Sequence, residues 1–203
     1  MTAFTVLSIL AQGIVILLIV DFFTGVLHWL EDAYAREHWP IIGKHIAAPN
    51  IRHHFEPRAM TKGPFLKRNF LTMLIASSVL GVVTLLGQFS WQWVWACALG
   101  SMSNEIHCWS HRSPRENGRI ITWLHRHGIV QNQRHHSKHH TDPKDTYYCV
   151  LTNWVNPILD RLDFFARCER VLGWFGAKKR IDPSVKKPRL VSGAPNEKPK
   201  KAA

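Results

Sequence analysis

Nine of the thirteen histidines in this 203-residue chain fall where they could act together: His28, the pair His53 and His54, His107 with His111, and His135, His136, His139 and His140 in the run HHSKHH. Imidazole binds iron, zinc, copper or nickel. One protein-bound ion takes about four to six ligands, so this many candidates imply a two-ion centre. His107 and His111 are one helical turn apart and share a helix face. His136, His139 and His140 would also share a face if helical, with His135 pointing elsewhere unless it meets a second ion. The adjacent His53 and His54 would diverge by about 100° on a helix, which suits ligands to separate ions, or one ligand and one support. The cysteines Cys97, Cys108, Cys149 and Cys168 show no CxxC spacing and are expected to be reduced structural thiols. Sites built from imidazole, without thiolate, do not resemble closed structural zinc. Iron with positions left open for O2 fits best. His38, His45, His125 and His127 lack a partner at useful spacing and are expected at the surface.

The elements that must gather these histidines are membrane helices. From Val6 to Leu30 only Ser8, Gln12, Asp21, Thr24 and His28 interrupt the apolar character. Twenty-five helical residues reach roughly 37 Å, enough for a hydrocarbon core of about 30 Å. The stretch has no basic segment before it and no small-residue cleavage site after it, which argues against a secretory leader. Residues 70–86 and 91–111 form two further spans, joined by a turn at residues 87–90. Most of the nine tryptophans sit near the ends of these spans, where indole rings prefer the headgroup level. The fold expected is therefore all-α: an integral membrane protein of about three transmembrane helices with further amphipathic helices at the cytoplasmic interface.

The formal net charge of +12 is placed with a consistent asymmetry. Arg36, Lys44, Arg52, Arg58, Lys62, Lys67 and Arg68 follow the first span, and Arg112, Arg115, Arg119, Arg126, Arg134, Lys138 and Lys144 follow the third. The positive-inside rule puts both regions in the cytoplasm and the N-terminus outside. All the grouped histidines then meet one face of the membrane. Residues 120–129 and 150–175 are amphipathic and suited to the interface. Residues 1–176 form one membrane domain on this reading, and residues 177–203, rich in Lys, Pro, Gly and Ser, a basic disordered tail.

Carboxylates near the ligands, namely Glu31, Asp32, Glu105, Asp142 and Asp145, are candidates to accept a hydrogen bond from the far ring nitrogen of a histidine. Asp21 is a different case. A carboxylate inside a span costs about 2.5–3.5 kcal/mol on insertion, and orientation of the site, substrate recognition and helix pairing are the roles open to it. Arg52, Arg58 and Lys62 are candidate contacts to a lipid phosphate.

The stretches DFFTGVLHW, IRHHFEPRAMT, NEIHCWSH and RHHSKHHTDPKDTYYCVLTNWVNPILD resemble, in order and spacing, the Kua-type lipid desaturases, over Asp21 to about Arg170. This family includes plasmanylethanolamine desaturases. The resemblance implies an O2-dependent enzyme with two iron ions that turns the alkyl ether chain of an ethanolamine phospholipid into a vinyl ether. Its ligands would be His28, His53, His54, His107, His111, His135, His136, His139 and His140; from the residues themselves, Asp21, Asp32, Asp145 and Arg52 are the candidates to support the site or the substrate. An acyl-lipid desaturase acting on another phospholipid, such as phosphatidylglycerol, is the alternative within the same chemistry. The chain has neither a GxGxxG fingerprint nor a CxxCH motif, so its electrons are expected from a separate cytochrome b5-like or ferredoxin-like carrier with a reductase. A metal carrier fits less well, because the second span carries no polar ligand along a path. Nucleic-acid binding is disfavoured as well, since the basic residues flank spans and form no groove.

Overall fold

The computed structural model describes residues 2–186, and every regular element among them is helical. Helix α1 (Ala3–Ala33) is 31 residues long, roughly 46 Å at 1.5 Å per residue. It is longer than a hydrocarbon core needs, and its last turns hold His28, near the end of the apolar run, and Asp32, just past it. After α2 (Ala48–Phe55), the second long helix is α3 (Phe65–Leu85). Both α1 and α3 are long and apolar enough to cross a membrane. Their large side chains face outward: Phe4 is 82 % exposed, Leu7 66 % and Phe70 66 %. An apolar surface of that extent suits hydrocarbon and would aggregate in water.

The third expected span is two helices. Helix α4 (Trp91–Ser101) gives way to α5 (Ser103–His111) at Met102, where φ is −91° and ψ 0°. The cause is local: Gly100 and Ser101 form the kind of pair at which helices bend. The hydroxyls of Ser101 and Ser103 donate to the carbonyls of Ala98 and Gly100, in competition with the helical ladder. Gly87, at φ 70°, makes the turn that joins α3 to α4. Helix α4 packs against both α1 and α3. The Trp95 indole donates to Gly13 O at 3.1 Å, and Gln92 donates to Gln12 at 3.0 Å. At the other end, Glu105 fastens α5 to α3. It accepts from Arg68 at 2.6 and 2.8 Å, from Trp109 at 3.0 Å and from Arg112 at 3.1 Å.

Helix α6 (Pro114–Arg126) opens with a capping box between Ser113 and Glu116 and is interrupted at Gly118, whose φ is 72°. It exposes Ile120 and Trp123. The short α7 (Gln133–His136), α8 (Val155–Arg161) and α9 (Phe164–Trp174) complete the helices. Trp29 and Ala33 of α1 join Tyr148, Cys149, Val155, Leu159 and Phe165 in one buried apolar cluster.

The segment between α7 and α8 has no helix, yet Tyr147 to Thr152 are buried throughout. Buried peptide groups need partners, and side chains from elsewhere provide them. Asp21 accepts from Leu151 N at 2.8 Å, Thr152 N at 3.1 Å and the Thr152 hydroxyl at 2.6 Å. Asn156 accepts from Cys149 N at 2.9 Å and donates to Cys149 O at 2.8 Å. Gln131 donates to Cys149 O at 2.6 Å. The loop lies so close to α1 that a Cβ at Gly25 would stand 3.1 Å from Cys149 N, tighter than ordinary packing. Asp21 is thus a clamp between α1 and this loop.

Of the basic stretch that begins at Ala177, residues 177–186 lie against the helical body. Arg180 N donates to Ala33 O at 2.6 Å, and Lys144 Nζ donates to the Ser184 hydroxyl at 2.7 Å. Residues 187–203 lie outside the described residues. Replacing Asp21 with Ala leaves two buried N–H groups without acceptors, an expected loss of roughly 2–5 kcal/mol. Gly25→Ala should strain the same loop. Both variants are expected to melt below the parent in detergent, and a Leu27→Ala change on the exposed face of α1 should not.

Candidate metal centre

The histidines converge from four places. His28 and Asp32 come from the end of α1, His53 and His54 from α2, His107 and His111 from α5, and His136, His139 and His140 from α7 and the turns after it. They sort into two groups. In the first, one ring nitrogen from each of His53, His107, His111, His136 and His140 lies within 4.8 Å of all the others. In the second, the same limit holds for His28, His54, His139 and a carboxylate oxygen of Asp32. The groups adjoin: ring centroids are 5.6 Å apart for His28 and His107, 5.9 Å for His53 and His54, and 5.2 Å for His139 and His140.

Adjacent residues are therefore shared out between groups. The divergence expected for His53 and His54 on a helix is what the structure shows. The expected common face for His136, His139 and His140 is not, because α7 ends at His136 and the chain continues in turns. His136 and His140 stay together, while His139 swings to the second group. His135 joins neither: its ring packs on Tyr147 at 4.9 Å between centroids, and its Nε2 meets Asn156 at 3.3 Å. His38, His45 and His127 are exposed, and His125 is half-buried.

The second group is oriented from behind. His28 Nδ1 donates to Tyr148 O at 3.0 Å and His139 Nδ1 to Thr146 O at 2.9 Å, while His54 Nδ1 bonds the carboxylate of Asp182. Each bond leaves Nε2 facing Asp32, at 3.7 Å from His28, 3.6 Å from His54 and 3.4 Å from His139. His28 and His139 face Asp32 Oδ2, whereas His54 faces Oδ1, which also accepts from Asn50 at 2.5 Å. Asp32, expected as a support, thus stands at the level of a ligand. Of the other acidic candidates, Glu31, Glu105, Asp142 and Asp145 are in neither group. Glu105 is the fastener of α5, and Asp142 pairs with Lys144 at 3.2 Å. Arg52 is exposed and pairs with Glu56 at 3.4 Å. Arg58 donates to His111 O at 3.1 Å and holds Glu116 at 2.8 Å, and Lys62 is exposed.

Asp182 was missed by sequence reasoning because the Lys- and Pro-rich composition around it points to a solvated tail. The available signal was local: Asp182 with Ser184 makes a side-chain turn, in which Asp182 accepts from Ser184 N at 2.7 Å. The carbonyls of Thr146 and Tyr148 carry no side-chain signal at all.

The residues fit metal ions. His28 Nε2, Asp32 Oδ2 and both nitrogens of His53 are buried without a hydrogen-bond partner. In the first group the Nε2 atoms of His107, His136, His111 and His140 face one another, 2.8 Å apart for His107–His136, 3.2 Å for His107–His111 and 3.0 Å for His136–His140. Two nitrogens bound at right angles to one ion at about 2.1 Å stand about 3.0 Å apart. A protein lacking an ion has little reason to bury so many nitrogen lone pairs against each other.

A family described as the lipid desaturase domain matches residues 17–182. The chain belongs to that family. It is 32% identical over 162 residues to the plasmanylethanolamine desaturase of Myxococcus xanthus, covering 76% of this chain and 57% of that protein. It is 30% identical over 180 residues to plasmanylethanolamine desaturase 1 of Mus musculus, covering 81% and 65% respectively. The chloroplastic fatty acid desaturase 4 of Arabidopsis thaliana is 26% identical over 158 residues, covering 76% of this chain and 48% of that protein. The chain thus spans less than two thirds of the length of these curated relatives. No solved structure matches. The family assignment agrees with the resemblance seen in the histidine motifs, and the matched span reaches Asp182.

Burial, then the neighbouring imidazoles, holds His53, His136 and His139 well below their ordinary value of 6.5, and His140 down at about 2. These rings are neutral at pH 7 and present lone pairs to a metal. The sign for the metal-free chain follows from linkage. Below pH 6.5 the unfolded chain takes up protons that the folded one refuses, so stability falls as pH drops, by about 1.4 kcal/mol per pH unit for each such histidine. Above that pH these groups contribute no slope. Thermal melting of metal-free protein should therefore be flat from pH 8 to 7 and fall steeply from pH 6.5 to 5.

Proposed function

We propose that this chain is a membrane lipid desaturase that converts the alkyl ether chain of plasmanylethanolamine to the vinyl ether, using O2 and two iron ions. The observation that carries the reading is the pair of adjoining, buried ligand groups at one end of the long apolar helices, in a chain of the lipid desaturase family. The plasmalogen substrate is favoured by the relatives that bear that name, at 32% and 30% identity, over relatives named as fatty acid desaturases, at 26% to 29%.

An alkyl C–H bond offers no acidity for a general base, and two iron ions held here would supply the activation of O2 that abstraction of hydrogen requires. The chain's own residues do the rest. His53, His107, His111, His136 and His140 hold one ion; His28, His54, His139 and Asp32 hold the other. The carbonyls of Thr146 and Tyr148 fix the tautomers of His139 and His28, so that Nε2 keeps its lone pair for the metal. Burial of both groups excludes bulk water from the reacting carbons. Because His28 stands near the end of the apolar run of α1, it would meet the first carbons of a lipid chain whose headgroup stays at the interface.

The positive-inside rule puts the centre at the cytoplasmic face and the N-terminus outside. On this reading α4 and α5 together make the third crossing, and exposed basic residues such as Arg52 face the lipid phosphate or an electron carrier. The donor is a separate protein, cytochrome b5-like or ferredoxin-like with its reductase.

Expression in a host that has alkyl ether lipid but no vinyl ether should yield acid-labile vinyl ether lipid. His111→Ala and His139→Ala, one from each group, should each reduce it at least 100-fold while the protein still accumulates in the membrane. A new acyl double bond without vinyl ether would transfer the activity to an acyl lipid, and neither product with iron-loaded protein would sink the reading.

A further inference from the structure

Three histidines of the second ligand group are held from behind, but by partners of two kinds. His28 and His139 donate Nδ1 to Tyr148 O and Thr146 O, both in the loop that Asp21 and Asn156 lock into the core. His54 lies in the last turn of α2, and its Nδ1 meets a side chain, the carboxylate of Asp182. Asp182 arrives on residues 177–186, beyond the last helix.

That segment is fastened along its length. Arg36 donates to Lys178 O at 2.5 Å, Lys179 pairs with Glu169 of α9 at 2.7 Å, and Arg180 N donates to Ala33 O at 2.6 Å. Beyond Asp182, Lys144 donates to the Ser184 hydroxyl at 2.7 Å and to Ser184 O at 3.2 Å, and Lys186 N donates to Asp142 at 3.1 Å. The second Asp182 oxygen accepts from Ser184 N at 2.7 Å and its hydroxyl at 2.6 Å. The carboxylate is therefore fixed on both oxygens, and its side chain is only 8 % exposed.

We propose that Asp182 is the positioning residue for His54, and that the strap of residues 177–186 is a working part of the second ligand group. This rests on the metal-centre reading above. A carboxylate on the far nitrogen fixes the imidazole tautomer, orients the ring and raises the donor strength of Nε2. The effect belongs to one group only. Asp32 and Asp182 both serve the second group, whereas among the described residues the first is built from five imidazoles. The ion of the second group is thereby retained by a bond that the last described residues of the chain must be in place to make.

The test uses the full chain in detergent, loaded anaerobically with ferrous iron and then challenged with a chelator while iron per chain is followed over time. The parent should hold two ions that leave in two phases. Asp182→Asn keeps the shape but not the charge, and should speed one phase by about 10- to 100-fold, leaving the other unchanged. Ser184→Ala should speed the same phase by less, and Asp182→Glu should restore part of the parent rate. His54→Ala identifies which phase belongs to the second group. A purely structural role for Asp182 would lower the melting temperature of metal-free protein and leave both release rates alone; that result overturns the proposal, as does equal acceleration of both phases. Should Asp182→Asn fold poorly, Ser184→Ala decides between the same outcomes. Parent protein that binds no iron would overturn the metal-centre reading before any substitution is made, so the two failures are separable.

Discussion

Peptide groups buried without secondary structure set the terms for the rest of this fold. Tyr147 to Thr152 run through the interior without a helix to satisfy them, and each unpaired group would destabilise by about 1–3 kcal/mol. Asp21, Gln131 and Asn156 pair the N–H groups of Cys149, Leu151 and Thr152 and the carbonyl of Cys149. The carbonyls of Thr146 and Tyr148 are left for His139 and His28. The same backbone therefore joins stability to ligand orientation. A carboxylate in an apolar helix, unfavourable by itself, is offset by the bonds it makes across to this loop.

The histidine spacing made much of the centre legible. His107 and His111 lie on one helix and belong to one group, and His53 and His54 part company as their angular separation on a helix requires. Spacing was less informative at HHSKHH, where a common face required a helix that in fact ends at His136, with residues 137–140 in turns. There His139 and His140 serve different groups and His135 serves none. Hydropathy located α1 and α3, because lipid-facing helices are apolar over most of their circumference. It passed over the break at Met102, since Gly100, Ser101 and Ser103 act through hydrogen bonds that a hydropathy average does not register. Asp182 was hidden for a related reason: composition describes the solvent preference of a segment, and a single fastened turn within it is a matter of specific bonds.

The two ligand groups differ in kind. One is a ring of imidazoles, the other has a carboxylate among its ligands and a second behind one of its histidines. An ion in the second group would sit in a more negative surrounding, and its histidines are held by bonds that reach the loop and the strap. Imidazoles of the first group rely more on packing, with His53 lacking a partner at either nitrogen. The second group is thus held by directed bonds from outside the cluster, and the first by the packing of its imidazoles on one another.

Helix α1 carries Asp21, Gly25, His28 and Asp32 at intervals of four, three and four residues, so all four lie along one stripe. Each has a separate counterpart: the loop amides, the loop backbone, the Tyr148 carbonyl and the second ligand group. Such a helix serves as a protractor as much as an anchor. Exposed apolar positions of its first turns, such as Phe4, Leu7 and Leu10, can exchange one apolar residue for another without touching these contacts. Within the stripe, a single inserted or deleted residue would rotate everything after it by about 100°, and no compensating change elsewhere in the chain could bring those contacts back into phase.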